Sequence, residues 1–359
     1  MIVSEGRQMY RNTYVEINLK NLNDNVKTLI NRYSDYQYYF GVVKADSYGH
    51  NDLETVKTII NAGCNYLAVA TLDEALIIRK ELKDIPILCL GIIDPKYIDI
   101  CLKENITITI SSLDYIKKIT NFNNLRVHIK INSGMNRLGI NNKDELNQAY
   151  NLIKQNNLNL EGIYTHIYNA NNNEVTLNQF KRFELITSEI DLNKIKIVHV
   201  GASVATENFP KRAYANGCRL GISMYGLVDY PSVCFKPTFA LYSEAIQINE
   251  VENETVGYNG NYLANGKEKI AIVPIGYADG IIRKNTGRSV YINNKEYKIV
   301  GNVCMDMIFV KVDDSVAVGD KVAIIKDIDH IKQIAKHLDT IEYEVICSIG
   351  KRVPRIYVK

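Results

Sequence analysis

The chain switches repeatedly between short apolar runs and longer stretches in which apolar positions recur every three or four residues. Tyr14 to Leu19 alternates as a strand does, and Asn21 to Tyr33 sets Leu22, Val26, Leu29 and Ile30 on one face of an amphipathic helix. Strand-like runs follow at 38–45, 66–72, 86–91, 106–111, 126–132, 162–167, 195–200 and 218–225. Helical periodicity fills most of the gaps, at 51–62, 73–82, 142–155 and 174–190. Eight strands alternating with helices predict an α/β fold, a parallel (β/α)8 barrel of the TIM type. Its weakest connection is 202–216, short for a full helix. A doubly wound open sheet is the competing arrangement, but the G-x-G-x-x-G fingerprint is absent.

Beyond Pro237 the pattern changes. Alternating runs at 239–249, 269–276, 289–292, 297–303 and 307–312 are separated by Gly, Asn and Asp turns, with one helix predicted at 328–338. The expected division is a barrel over residues 1–236 and a β-rich domain over 237–359, with Pro231 and Pro237 flanking the linker. The strand at 14–19 is surplus to the barrel, so residues 1–20 are expected to pair with the second domain.

Length agrees with this division, since 359 residues hold a barrel of about 250 and a smaller domain. A net charge of +3 argues against nucleic acid or a membrane surface as a partner. No apolar run approaches the ~20 residues of a membrane span, and the polar N-terminus has no secretory core. Seven scattered cysteines, an odd number without a C-x-x-C pair, suit a reducing cytoplasm. Six histidines lack metal-ligand spacing, so no metal is expected.

Chemistry concentrates around Gly41-Val42-Val43-Lys44-Ala45-Asp46-Ser47-Tyr48-Gly49-His50. A lysine at the end of an apolar strand is costly to bury unless its amine is used. Desolvation lowers its pKa and frees the lone pair for condensation with a carbonyl cofactor. In a barrel, reactive groups sit at the C-terminal strand ends. By that rule Lys44 ends the first strand, Lys130 lies in the fifth with Arg137 after it, and His166 ends the sixth. His199 and Ser203 close the seventh, and Arg219-Leu220-Gly221-Ile222-Ser223-Met224-Tyr225-Gly226 forms the eighth. Singly, His166 or His199 is more often a structural histidine and Arg137 a solvated loop residue; their placement at one rim sets them apart.

These stretches resemble the alanine racemase family, pyridoxal-phosphate enzymes built from a barrel and a β-domain, and the resemblance runs from Arg11 to Tyr357. It implies that Lys44 carries the cofactor and acts as one catalytic base. The phosphate falls to Tyr48, Ser203, Tyr357 and the amides of Gly221 and Ile222. Arg219 faces the pyridine nitrogen, and Arg137 contacts the cofactor phenolate and the substrate carboxylate. Lys130 stands where the family carbamylates a lysine to hold that arginine. Gly276-Tyr277-Ala278-Asp279-Gly280 matches the segment of the second base, with His166 and Arg219 beside its phenolate, and the Met305 amide meets the substrate carboxylate. The implied function is two-base racemisation of alanine for D-alanine and cell-wall synthesis, by a homodimer with shared sites. Serine or a range of small amino acids is the alternative substrate. A basic amino-acid decarboxylase is disfavoured by Tyr277 and Arg219, and a non-catalytic cofactor-binding protein by the second domain. Three positions depart from the family pattern: Ala202 for asparagine, Asn171 for aspartate, and the small Cys304.

Overall fold

Eight parallel strands close into a barrel: Tyr38–Val42, Tyr66–Val69, Ile87–Cys89, Ile106–Ile110, Arg126–Lys130, Asn159–Tyr164, Ile197–Ala202 and Gly217–Leu220, the last pairing back onto the first. The computed structural model describes residues 2–3, 9–51, 53–119, 121–230 and 232–359. Barrel strands are buried on both faces, which is why they read as unbroken apolar runs instead of strict alternation. Helices Leu53–Asn61, Leu72–Glu81, Lys143–Gln155 and Asn173–Ile186 lie where the 3.6-residue period predicts them. Side chains fix where three of them start: Thr71 and Glu74 form a capping box, and Asn142 and Asn172 cap the other two. The connection before the last strand holds only the five-residue helix Val204–Asn208.

A second sheet of ten strands runs in the order Ile2–Val3, Arg355–Val358, Tyr14–Asn18, Phe239–Glu244, Lys321–Ile325, Ser289–Ile292, Lys295–Val300, Ile308–Val312, Lys267–Val273, Gln247–Glu252. Tyr14–Asn18 pairs antiparallel with Phe239–Glu244 and parallel with Arg355–Val358, so the chain's start is threaded into the C-terminal sheet. The predicted run 239–249 is two strands. It breaks at Ala245-Ile246, where the chain leaves Lys321–Ile325 to pair with Lys267–Val273, and alternation carries no mark of a change of partner. The helix predicted at 328–338 is present as Ile328–Leu338, followed by a second, Glu342–Cys347, that periodicity missed. Of the two linker prolines, Pro231 lies outside the described residues, while the Pro237 carbonyl accepts from Asn21 Nδ2 at 2.7 Å.

The N-terminal arm is also tied down by charge. Arg11 grips the fully buried Asp279 with two bonds of 3.0 and 2.8 Å, and Asp279 accepts a third at 3.1 Å from the Gly276 amide. This carboxylate closes the turn that carries Tyr277. Removing one partner of such a pair leaves a buried charge short of donors. Arg11→Ala is therefore expected to cost about 2 kcal/mol, the scale of a hydrogen bond to a charged group, because Arg11 is partly exposed. A lower urea midpoint at unchanged slope is the predicted signature, and an unchanged midpoint would show that Asp279 is satisfied without Arg11.

Candidate active site

The first barrel strand stops at Val42, short of the predicted 45, because the chain then turns left-handed. Ala45, Asp46, Ser47 and Tyr48 have φ of 54, 51, 52 and 55°. For residues with a Cβ this conformation costs roughly 1–2 kcal/mol each, so the surroundings must impose it. The Ala45 amide donates to Glu74 Oε1 at 2.7 Å, Asp46 pairs with Lys351 at 3.1 Å, and Arg355 Nε donates to the Gly49 carbonyl at 3.0 Å. Gly49, at φ 79°, has no room for a side chain: a Cβ would sit 2.5 Å from the Ile346 carbonyl oxygen. Lys44 opens this turn instead of ending the strand. It is half-buried, and desolvation together with the Arg137 cation lowers its pKa against the pull of Glu74.

Lys44 belongs to a cluster of cations at the C-terminal rim. Burial, then Arg137, Arg219 and Lys44, push the Lys130 pKa down to about 8. Lys130 Nζ and Arg219 Cζ lie 5.8 and 5.5 Å from the centroid of the same ring, Tyr164. Arg219 is buried and pushed down to about 10 by desolvation, still a cation at neutral pH. Its Nη1 donates to the His199 ring and carbonyl, both at 2.8 Å, and its Nη2 to the Thr165 carbonyl at 2.7 Å. His166, two residues beyond the sixth strand, falls to about 3 through burial and the four surrounding cations, and is therefore a neutral imidazole at pH 7. Among the described residues, no carboxylate forms an ion pair with Lys44, Lys130, Arg137 or Arg219.

Arg137 sits on an ordered loop. Asn132 Oδ1 accepts from the amides of Gly134 and Asn136 at 3.2 and 2.9 Å, while Asn132 Nδ2 donates to Asn136 and Asn141. Asn132 and Glu74 are supporting residues to which sequence reasoning assigned no role. The only signal for Glu74 was its place three residues after Thr71, and that signal speaks for a cap alone.

Beside the cations lies a polar cradle. Ser203 follows the seventh strand at φ 37°, a strained value for a non-glycine residue. Its Oγ accepts from the Gly221 amide at 3.3 Å and lies 3.2 Å from Ser223 Oγ. A Cβ at 221 would stand 3.4 Å from Ser203 Oγ and 3.5 Å from the Tyr48 hydroxyl, so two hydroxyls and an amide converge on a gap that such a Cβ would enter. Ile222 begins the 3-10 turn Ile222–Tyr225 immediately after. Tyr357 is buried in the last strand, opposite Ile17 and Ile2. A backbone amide with hydroxyls beside cations is a site for a phosphate-bearing anion.

Among the described residues, no hydrogen bond or ion pair joins the Tyr277 or Met305 side chain to this rim. Their loops are zipped together, with the Tyr277 and Ala278 amides donating to the Cys304 and Met305 carbonyls at 3.0 Å each. Both side chains are open to solvent, 42% and 52% exposed, and among the described residues the Tyr277 phenol makes no hydrogen bond. Ile282 and Met307 add 49% and 42% exposed apolar surface.

The family model described as alanine racemase, N-terminal domain, matches residues 17–229, and that of the alanine racemase C-terminal domain matches residues 238–357. Alanine racemase 1 of Bacillus subtilis is 34% identical over 370 residues, covering 98% of this chain and 95% of its own length. Alanine racemase of Listeria monocytogenes serotype 4b (strain F2365) is 36% identical, covering 97% and 98%. The crystal structure of alanine racemase from Bacillus anthracis with bound L-Ala-P matches with a TM-score of 0.92 and 32% identity, over 98% of this chain and 96% of that one.

The depressed Lys130 pKa makes a direct prediction. Near pH 8 roughly half of these amines are neutral, whereas an ordinary lysine is almost wholly protonated. Cyanate at pH 8 should therefore carbamoylate Lys130 ahead of the exposed lysines, as read by peptide mass. Label confined to surface lysines would contradict the depressed pKa.

Proposed function

The chain belongs to the alanine racemase family and is an isomerase; from that premise we propose that it interconverts L- and D-alanine with pyridoxal phosphate, using Lys44 and Tyr277 as opposed bases. The observation that carries the reading is the rim cluster of Lys44, Lys130, Arg137 and Arg219, cations without an ion-paired carboxylate among the described residues, beside a hydroxyl-and-amide cradle. That chemistry fits a phosphorylated, phenolate-bearing aldehyde: anionic groups for the cations and cradle, a carbonyl for the amine.

In this reading Lys44 holds the aldehyde. Ser203, Tyr48, Tyr357 and the Gly221 and Ile222 amides hold the phosphate, and Arg219 faces the pyridine nitrogen. When bound, pyridoxal phosphate supplies an electron-accepting ring that acidifies the substrate Cα–H. Arg219 keeps its own proton and so leaves the ring nitrogen without one, which restrains side transamination. Arg137 and the Met305 amide orient the substrate carboxylate, and a carbamate on Lys130 would anchor Arg137. Lys44 Nζ takes or gives the Cα proton on one face, and Tyr277 Oη on the other. His166 stands beside that phenol as a neutral hydrogen-bonding group.

Exposed Tyr277, Ile282, Met305 and Met307 support a homodimer in which a second copy brings Tyr277 to the mouth of this barrel and excludes water. The division at 236/237 is supported by the two family models, which end at 229 and begin at 238. Seven unpaired cysteines support a cytoplasmic setting, and among the described residues no helix is long and apolar enough to cross a membrane.

The test is conversion. L-alanine and D-alanine, incubated separately with purified protein, should reach the same racemic mixture, because mirror-image products have equal free energy in water. Borohydride should fix the cofactor on Lys44. L-serine in the same assay measures the alternative substrate, and amine release from L-lysine measures the decarboxylase rival. Cofactor binding without D-alanine formation would overturn the reading. Arg219→Glu should lower racemisation about a hundredfold, the scale of losing an electrostatic partner at the reacting centre, and raise pyruvate formation. Unchanged rates would remove Arg219 from the ring nitrogen.

A further inference from the structure

Below the rim, the barrel interior holds a line of polar side chains that the proposed chemistry does not use. Its direction follows from Arg219, because a guanidinium has donors and no acceptor. Arg219 Nη1 lies 2.8 Å from His199 Nδ1, so that nitrogen is bare and the His199 proton is on Nε2. His199 Nε2 lies 2.9 Å from His128 Nδ1, which must then accept. The His128 proton is left on Nε2, 3.4 Å from Glu161 Oε2. Both hydrogen bonds point the same way, from Arg219 through His199 to His128, and the His128 Nε2–H, without a hydrogen bond among the described residues, faces the Glu161 carboxylate.

The surroundings are built for that line. His199 is sandwiched between Phe40 and Tyr164, with centroids 4.4 and 4.6 Å away and planes within 17° and 11°. Full burial in such company keeps both imidazoles neutral, as the proton count requires. At residue 162 a Cβ would fall 2.6 Å from His128 Nδ1, so Gly162 leaves the space that the ring fills. Glu161 accepts from Tyr66 at 2.7 Å and from Lys196 at 2.8 Å. Burial would raise its pKa, but the bonds from His128, Lys196 and Tyr66 outweigh that and hold it ionised.

We propose that Glu161 and His128 are positioning residues for the racemase site: they lock the His199 tautomer and thereby the placement of Arg219 at the ring nitrogen. With the Glu161 carboxylate gone, nothing negative holds the proton on His128 Nε2, and His128 is free to carry it on Nδ1 and donate to His199. The His199 proton then moves to Nδ1 and faces an Arg219 N–H across 2.8 Å, donor against donor. The inference rests on the proposed function only for what Arg219 meets.

Neutron diffraction from crystals of the purified holoenzyme reads the protons directly. The expected result is deuterium on Nε2 of both His128 and His199 and none on Nδ1; deuterium on Nδ1 of either ring overturns the lock. Glu161→Leu should lower kcat about tenfold or more, the scale of a lost charged hydrogen bond, with KM changed less than twofold and pyruvate formation raised. Glu161→Gln, which keeps a partly negative amide oxygen facing His128 Nε2, should recover most of that loss; equal losses in the two variants overturn the tautomer argument. If Glu161→Leu does not fold, the proton positions decide alone. Expected protons in a chain that does not racemise alanine would keep the lock and fail the function, whereas racemisation with the opposite tautomers would fail the lock alone.

Discussion

Positive charge gathered at the barrel rim, with no carboxylate ion-paired to it among the described residues, is the constraint on which the site depends. Burial first, and then the mutual repulsion of the cations Lys44, Lys130, Arg137 and Arg219, take Lys130 to about 8 and His166 to about 3. Cations gathered this way repel, and the fold must hold them there. It does so with a rigid parallel barrel whose strand ends converge, and with loops stapled by their own polar side chains. A ligand carrying two anionic groups and a carbonyl relieves the repulsion and uses the free amine. In the proposed function the same arrangement is the source of affinity for the cofactor.

Several distant parts of the chain cooperate to keep the geometry. The left-handed turn after Lys44 is held by Glu74 from the next helix and by Lys351 and Arg355 from the chain's end. Arg11 reaches across to Asp279, so the N-terminal arm supports the turn that carries Tyr277. Left-handed backbone at Ser203 and at residues 45–48, none of them Asn or Gly, lies in the two segments that carry the cradle and follow Lys44. A change in any of these supports would be felt as a misplaced donor and not as a missing one.

Much of this was legible in the chain. The eight strands follow from apolar runs separated by helical periods, because a barrel strand buried on both faces leaves that mark. Lys44, Lys130 and Ser203 stood out as polar residues at strand ends, and the motif resemblance extended the list to Tyr277 and Met305. What stayed hidden was non-local. Nothing in Ala45-Asp46-Ser47-Tyr48 announces a left-handed turn, since no glycine is there and the conformation is imposed by residues far away in sequence. The break at Ala245-Ile246 reflects a change of partner strand. The line from His199 to His128 to Glu161 joins residues 71 positions apart at its first step, and only the closed barrel places them in order.

The central claim is that the rim of one chain is completed by a phenol from another. Lys44→Ala and Tyr277→Phe, each inactive as a homodimer, are mixed under conditions of subunit exchange and the D-alanine formed is measured. One site of the mixed dimer collects both lesions, while the other receives an intact Lys44 and an intact Tyr277. The account predicts recovery, up to half the wild-type specific activity of the mixed fraction. Proven exchange with no recovery would place both bases on one chain and contradict it.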